Sequence, residues 1–392
     1  MAKLNAVLEI GTSKIVCLIE RPGGEALTSV PGASLVRYDG IKNGKWSGYS
    51  AFAEDLMTAI SGAESQVGKT IKSCSVGVPG CFCKIVFREG KKKIKGLVKE
   101  EDIDWLVNRL KPKNVENADL IDVRPAYFMD DRDNVYLNEP INLKTTTLRC
   151  GMTYFYGHKP FLDSVERALL SRKISVDKFI CEPLAQALHY IPQQERDMTS
   201  AIVDIGYYST GITIAYGDTI LAHSSIDLGG STVTNRLVSR LDIRENLAEN
   251  LKRRHIFGID LQPGEKVYAK DEAGRMVQFD AASIKNSIDE IADIVCTEVR
   301  RELYRYRNYL RKDAKIYLIG AGISMQGFDA YLKRQIHANL TLPPRNKYRG
   351  LPAIYNSGVA LLDNNSATVY HLRGNEIGSK IRDKVNRFFN MK

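Results

Sequence analysis

One pattern occurs twice in this chain and limits what it can fold into. Near the N-terminus Ala6-Val7-Leu8-Glu9-Ile10-Gly11-Thr12-Ser13-Lys14 is followed by an apolar run over residues 15–19. Mid-chain, Ala201-Ile202-Val203-Asp204-Ile205-Gly206-Tyr207-Tyr208-Ser209-Thr210 is followed by an alternating run over 211–216. Each copy reads as an apolar strand ending in an acid, a tight turn and a returning strand. A carboxylate beside a turn of backbone N–H groups suits a phosphate seated on the turn, with a divalent cation between phosphate and acid. One copy alone is an ordinary strand end. Two copies predict related halves, each offering a hairpin to a ligand held between them.

The 392 residues exceed one ordinary domain, and 44% hydrophobic with 26% charged residues is a globular composition. A net charge of +10 favours acidic partners such as nucleotides, anionic lipid or an acidic peptide. Nucleic acid is not expected, since no basic-aromatic stripe or nucleic-acid motif stands out. The seven cysteines lack metal-ligand spacing and read as buried reduced thiols. The first residues do not read as a signal peptide, and no apolar run reaches the roughly 18 residues of a membrane span.

In chain order, residues 21–50 read as strands and turns. Phe52, Leu56 and Ile60 predict a helix over 50–67, and a buried strand over 71–78 closes at Pro79-Gly80. A strand over 84–88 runs to Lys91-Lys92-Lys93, read as a solvated hairpin tip, and Lys99-Glu100-Glu101-Asp102 opens a helix to Leu110. Strands over 120–127 and 148–156 flank an acidic turn, so 84–159 reads as a small α+β insert of short strands and one helix. A helix over 161–170, a strand over 177–180 and a helix opened by Glu182-Pro183-Leu184-Ala185 lead into the second half.

There Gly229-Gly230-Ser231-Thr232 is a helix start with a capping hydroxyl. Residues 242–280 are expected to hold two helical pieces, one over 247–255, and a hairpin around Ala273-Gly274. Ile284, Ile288, Ile291, Val295, Val299 and Leu303 predict one helix over 283–310. The strand over 315–319 runs into Gly320-Ala321-Gly322, a strand–turn–helix shape suited to phosphate or nucleoside.

In that order, the two hairpins, Glu249-Asn250-Leu251-Lys252 and the Gly-Ala-Gly turn resemble the actin/Hsp70/hexokinase ATP-binding fold. With Leu228-Gly229-Gly230, Glu182-Pro183-Leu184-Ala185 and the position of the insert, the chain resembles the FtsA family of bacterial division proteins over almost its whole length. The resemblance implies a two-lobed α/β architecture. Residues 1–83, 160–196 and 345–362 would form the first lobe core and 84–159 the inserted subdomain. Residues 197–238 and 281–344 would form the second lobe core and 239–280 a small subdomain, followed by a linker over 363–377 and a terminal amphipathic helix over 378–392.

It also implies ATP and Mg²⁺ as ligands. Asp204 would hold Mg²⁺ directly or through water, with Glu9 on the same water shell. The backbones of Gly11, Thr12 and Ser13 and of Gly206, Tyr207, Tyr208 and Ser209 would cradle the phosphates, with Lys14 as a point charge. Gly229 and Gly230 would line the site, Glu249 and Lys252 would border adenine and ribose, and Gly320, Ala321 and Gly322 would admit the nucleoside. The family's second loop usually reads Asp-Ile-Gly-Gly-Gly-Thr-Thr-Asp. Here Tyr207 and Tyr208 replace two glycines and Gly211 the later acid. Tyrosine resists positive φ, so a looser grip on phosphate is expected. With no evident general base, the expected ATPase activity is weak at most.

Past the polar linker, Ile377, Ile381, Val385, Phe388 and Phe389 recur at helical spacing among Lys380, Arg382, Lys384 and Arg387. An apolar stripe beside a basic face is the form of an in-plane membrane anchor, with about 1 kcal/mol per basic group at an anionic surface. By resemblance the chain is a polymerising, ATP-binding peripheral protein on the cytoplasmic side of the inner membrane at the division site. The FtsZ C-terminal peptide would dock around 239–280, with Arg253 and Arg254 as candidate contacts, and other divisome proteins would meet the insert. The alternative is a PilM-like type IV pilus assembly protein of the same fold. A sugar kinase would need a catalytic Asp in a substrate cleft, and no such motif is present.

Overall fold

The computed structural model describes residues 4–21, 30–38, 40–42, 45–46, 49–343 and 351–365. The membrane-binding expectation for Ile377 to Phe389 lies outside the described residues. Two five-stranded sheets of the same plan carry the chain. In the first, β1 (Asn5–Ile10) and β2 (Lys14–Glu20) form an antiparallel hairpin with Glu9 opposite Val16, and β3 (Gly32–Arg37) extends the meander. A small ladder of β4 (Ile41–Lys42) and β5 (Lys45–Trp46) precedes α1 (Tyr49–Val67), which crosses over to set β6 (Ser73–Val78) parallel to β1.

The segment inserted after β6 forms its own sheet. It holds β7 (Cys83–Lys93), α2 (Glu100–Leu110), β8 (Ala118–Met129), β9 (Val135–Tyr136) and β10 (Thr147–His158), in the order β7-β10-β8-β9. Three of its strands are long rather than short. The triple lysine is not a hairpin tip: it lies within β7, opposite Thr147, Leu148 and Arg149 of β10. Lys92 Nζ pairs with Asp102 at 2.8 Å and sits 5.1 Å from the Trp105 ring centre, so alternate lysines serve the helix and the solvent. Cys81 falls in a single 3₁₀ turn before β7, which begins at Cys83. All seven cysteines are free thiols.

The chain returns through α3 (Lys159–Leu170), β11 (Ser175–Cys181), α4 (Glu182–Tyr190) and the short α5 (Gln193–Arg196), with β11 completing the sheet β11-β6-β1-β2-β3. The second sheet repeats the plan. The meander β12 (Ser200–Ile205), β13 (Thr210–Tyr216) and β14 (Thr219–Ile226) precedes α6 (Gly230–Leu241), α7 (Glu245–Arg254), a ladder of β15 (Lys266–Lys270) and β16 (Met276–Asp280), and α8 (Ala281–Arg305). Then come β17 (Ile316–Ile319), α9 (Phe328–Ile336), β18 (Leu340–Thr341) and α10 (Asn356–Asn365), giving the order β14-β13-β12-β17-β18. The acid-bearing strand is central in both sheets.

Between α7 and β15 no second helix forms among the described residues, because residues 256–265 are broken by Gly258, Pro263 and Gly264, both glycines in positive φ. The long helix stops at Arg305 rather than Leu310, where Tyr306 leaves helical geometry and residues 306–310 run on as turns. The two halves share a core: Val7, Val16 and Leu18 pack with Leu184 and Ala187 of α4, Leu361 of α10, and Ile202 and Ile220 of the second sheet. Burying side chains of this size contributes about 1.5–3 kcal/mol each, so the halves are fused through α4 and α10.

Candidate functional site

β1 and β12 both point their acids at the seam between the sheets. Glu9 and Asp204 meet Glu182, the first residue of α4, and Gln186 one turn later ties the group together. Gln186 Nε2 donates to Asp204 Oδ2 at 2.8 Å, to Ser357 Oγ at 3.3 Å and to Glu182 Oε1 at 3.4 Å. Ser357 and Gly358 open α10 and bring its N-terminal end against Glu9. Both α4 and α10 thus aim positive dipole ends at the acids.

Among the described residues, three carboxylates share this seam with one cation, Lys14. Burial pushes the Glu182 carboxyl up to about 8, and repulsion from Glu9 and Asp204 adds to it. Glu9 is 2% exposed and is raised by burial against the opposing pull of Lys14. Burial also raises Asp204, against Gln186 and Lys14. Lys14 Nζ lies 3.2 Å from Glu9 Oε1 and donates to the Ile354 carbonyl, so it faces the acid rather than standing out at the turn. Glu9 Oε2 is buried without a hydrogen-bond partner.

That donor set fits a divalent cation. An unpartnered buried carboxylate oxygen and carboxyls raised chiefly by burial, with repulsion added at Glu182 and Glu9, are both relieved by added positive charge. Among the described residues no three His, Cys, Asp or Glu side chains form a ready metal cage. This suits Mg²⁺, which keeps much of its water and binds through one or two carboxylates plus phosphate.

The turns are built differently from the sequence expectation. Gly11 N–H donates to Lys14 O at 2.9 Å and Gly206 N–H to Ser209 O at 2.9 Å, so these amides close their own turns. Tyr207 and Tyr208 do not adopt positive φ, so the turn accommodates tyrosine at both places. Instead Tyr207 braces the neighbouring helices: its hydroxyl donates to Glu245 Oε1 at 2.9 Å, and Lys252 Nζ sits 5.3 Å from its ring centre.

Gly229, Gly230, Gly320 and Gly322 surround the second turn. Gly230 N–H donates to Gly206 O at 3.0 Å and Ser231 N–H to Tyr207 O at 2.7 Å. A Cβ on Gly229 would meet Tyr207 O at 2.6 Å, and one on Gly322 would meet Ile205 O at 2.7 Å. Gly320 has φ +99°, and a Cβ there would strike the Ile205 carbonyl and come within 2.5 Å of Asp204 Oδ1. These glycines therefore let backbone approach backbone around Asp204. Ala321 lies in a 3₁₀ turn, so the Gly-Ala-Gly segment does not lead straight into a helix; α9 starts only after Gly327.

On α7, Lys252 is buried with its three protons committed. It reaches Gly230 O at 3.0 Å, Thr234 Oγ1 at 2.9 Å and Glu249 Oε2 at 2.5 Å. Glu249 also accepts from Arg253 Nε at 2.9 Å, and Arg254 Nη1 donates to Tyr268 O at 2.9 Å. The outer face of α7 lines a cleft of about 460 Å³ with Asn246, Glu249, Asn250, Arg253, Arg254 and, from the first sheet, Arg37. That volume lies in the range of small-molecule sites.

Sequence reading singled out neither Arg37 nor Gln186 nor Ser357, and it quoted Glu182 without a role. An acid at the start of a helix right after a buried strand was the available signal for Glu182. The other three carry none locally.

The family described as type IV pilus assembly protein PilM matches residues 161–294. The cell division protein FtsA of Neisseria meningitidis is 25% identical over 306 residues, covering 76% of this chain and 73% of that protein. A PilM–PilN type IV pilus biogenesis complex superposes with TM-score 0.64 at 16% identity over 94% of this chain and 99% of that one. MreB5 of Spiroplasma citri, solved with ADP bound, superposes with TM-score 0.53 at 11% identity over 98% and 99%. The fold is the actin-like one.

Proposed function

We propose that this chain, an actin-like protein similar to the FtsA division proteins, binds Mg-ATP between its two acid-bearing hairpins and tethers FtsZ filaments to the inner face of the cell membrane. The observation that carries the nucleotide part is the convergence of Glu9, Asp204 and Glu182 at one seam with an unpartnered Glu9 oxygen. Asp204 and Glu9 would hold Mg²⁺ through water, and the bound ion would neutralise charge on the phosphates. Amides of the two turns beyond Gly11 and Gly206 would receive the phosphates, and the cleft beside Glu249 would admit the base and ribose. Lys252 acts here by fixing Glu249 and the start of α6. Glu182 and Gln186 would orient an attacking water, with turnover slow for want of an evident general base.

The tether part rests on the basic, two-Phe stripe over 377–389, and the filament part on similarity to division actins. In this reading the chain works as a peripheral protein at the division site. The lobes, the 84–159 insert and the 239–280 subdomain divide as the resemblance implies, with the insert offered to other divisome proteins. Among the described residues no helix is long and apolar enough to cross a membrane.

Titration of Mg-ATP into the full chain in a calorimeter tests the first part: saturable heat supports it, and none, with or without anionic vesicles, overturns it. Lipid monolayers viewed by electron microscopy with and without ATP test the second, with lipid-dependent filaments expected. The family match over 161–294 and the likeness to the PilM–PilN complex favour a second reading, a pilus assembly protein that captures an inner-membrane partner. Undiminished vesicle binding after deletion of 378–392, with no capture of an FtsZ C-terminal peptide, would select that reading.

A further inference from the structure

The C-terminal end of α8 and the turn after it make an exposed basic surface away from the cleft. Between residues 298 and 313 six basic side chains stand against three acids, a net +3 by subtraction, interleaved with tyrosines. This is the basic-aromatic feature that sequence reading did not find, because it is packed into one helix end rather than spread as a stripe. Tyr304 is 66% exposed, Tyr309 40% and Met198 50%. Arg307 stacks over the Tyr304 ring with its guanidinium 4.2 Å from the ring centre and donates to Tyr304 O at 3.0 Å. Arg311 reaches Met198 Sδ at 4.0 Å.

A continuous line of contacts joins this surface to the C-terminal end of α10. Lys315 Nζ meets Glu195 Oε1 at 2.5 Å, and Arg196 Nη1 donates to Ile191 O at 2.5 Å. Next along the line, His189 Nδ1 meets Asp363 Oδ2 at 2.5 Å, and Asn365 bonds Asn5 at the start of β1. Both sheets therefore turn the same end, away from their acid turns, toward Asn365 at the end of α10. From there residues 366–377 can span at most about 40 Å before the basic, apolar stripe begins.

We propose that this arginine-tyrosine surface is a second lipid contact, which lays the folded body against an anionic bilayer once the C-terminal segment has anchored it. The proposal rests on the anchor reading of 378–392. Tyrosine rings, a thioether and arginines with long apolar stems are groups that sit at headgroup level, and a net positive surface complements acidic lipid.

The test is co-sedimentation of the full chain with phosphatidylcholine vesicles, with and without phosphatidylglycerol. Three chains are compared: Arg307→Glu/Arg311→Glu/Lys312→Glu, Arg307→Lys/Arg311→Lys, and a deletion of 378–392. All the substituted side chains are exposed, so unfolding temperature and Mg-ATP binding should stay at wild-type values. Charge reversal is expected to weaken binding to the anionic vesicles by about tenfold to a hundredfold, with the lysine chain near wild type. The deletion should leave weak, salt-sensitive binding to anionic vesicles. Wild-type affinity in the charge-reversed chain overturns the proposal, whether the surface then proves merely solvated or a site for an acidic peptide, and leaves the anchor reading standing. Undiminished binding after the deletion overturns the anchor reading instead, so the two failures appear in different chains.

Discussion

Glu182 carries a pH signature that follows from its position among Glu9 and Asp204. Its carboxyl titrates near 8 in the folded protein against an ordinary 4.5, so between those values the folded state holds a proton that the unfolded chain has released. Stability must then fall as pH rises through that window, by at most about 5 kcal/mol for this group. Thermal unfolding without divalent ion should show this decline, and Glu182→Gln, which keeps the shape and removes the charge, should flatten it. An unchanged slope in Glu182→Gln would show that another group sets the decline. Gly320 makes a second case. With φ +99° and no room for a Cβ beside Ile205 O and Asp204 Oδ1, Gly320→Ala should cost roughly 2–4 kcal/mol in urea unfolding and weaken Mg-ATP binding together. Glu9 and Asp204 were legible because an acid before Ile-Gly is a local pattern. Gln186 was not, since its meaning lies in facing β12 across a seam that only the folded chain creates.

At the level of elements, α6 and α7 are locked by one buried pair. Burial pushes the Glu249 carboxyl up, but Lys252, Thr234 and Arg253 together hold it below the usual carboxylate range. Its contribution is therefore present above that range and lost as pH falls through the lowered pKa. Lys252→Met strands a half-buried carboxylate and should destabilise by about 2–4 kcal/mol in urea unfolding. Adding Glu249→Gln should recover part of that loss, and additive losses in the double variant would mean that the pair is not coupled. Strands and helices with strong periodicity, such as α1 and the β12–β13 hairpin, were readable from residue spacing. The misreadings occurred where tertiary contacts override local pattern. Lys91-Lys92-Lys93 looks like a turn in isolation, but β10 supplies a partner strand and Asp102 and Trp105 supply company for Lys92. The stop of α8 at Arg305 is set by the turn that delivers β17, which the apolar spacing up to Leu303 does not announce.

For the whole molecule, the duplicated plan has a mechanical consequence. β12, with Asp204, is hydrogen-bonded to β13 and β13 to β14, and β14 in turn lies along β7 and β8 of the inserted sheet. Thr153 Oγ1 of β10 donates to Ile220 O of β14 at 2.9 Å with both groups buried. The insert is therefore built against the same meander that presents the second acid turn, while α4 and α10 join that turn to the first. A ligand gripped by both turns should slow backbone hydrogen exchange in residues 10–15 and 204–211 together and carry some of that protection into β14 and β10. Exchange measured by mass spectrometry with and without Mg-ATP checks this. Thr153→Val removes the hydroxyl that crosses between the sheets. It should cost about 1–2 kcal/mol and confine the protection to the two turns, leaving the insert unprotected. Protection of the insert that survives Thr153→Val would mean that the message travels through α4 and β11 rather than β14. Protection of one turn without the other would mean that the two hairpins do not share a ligand at all.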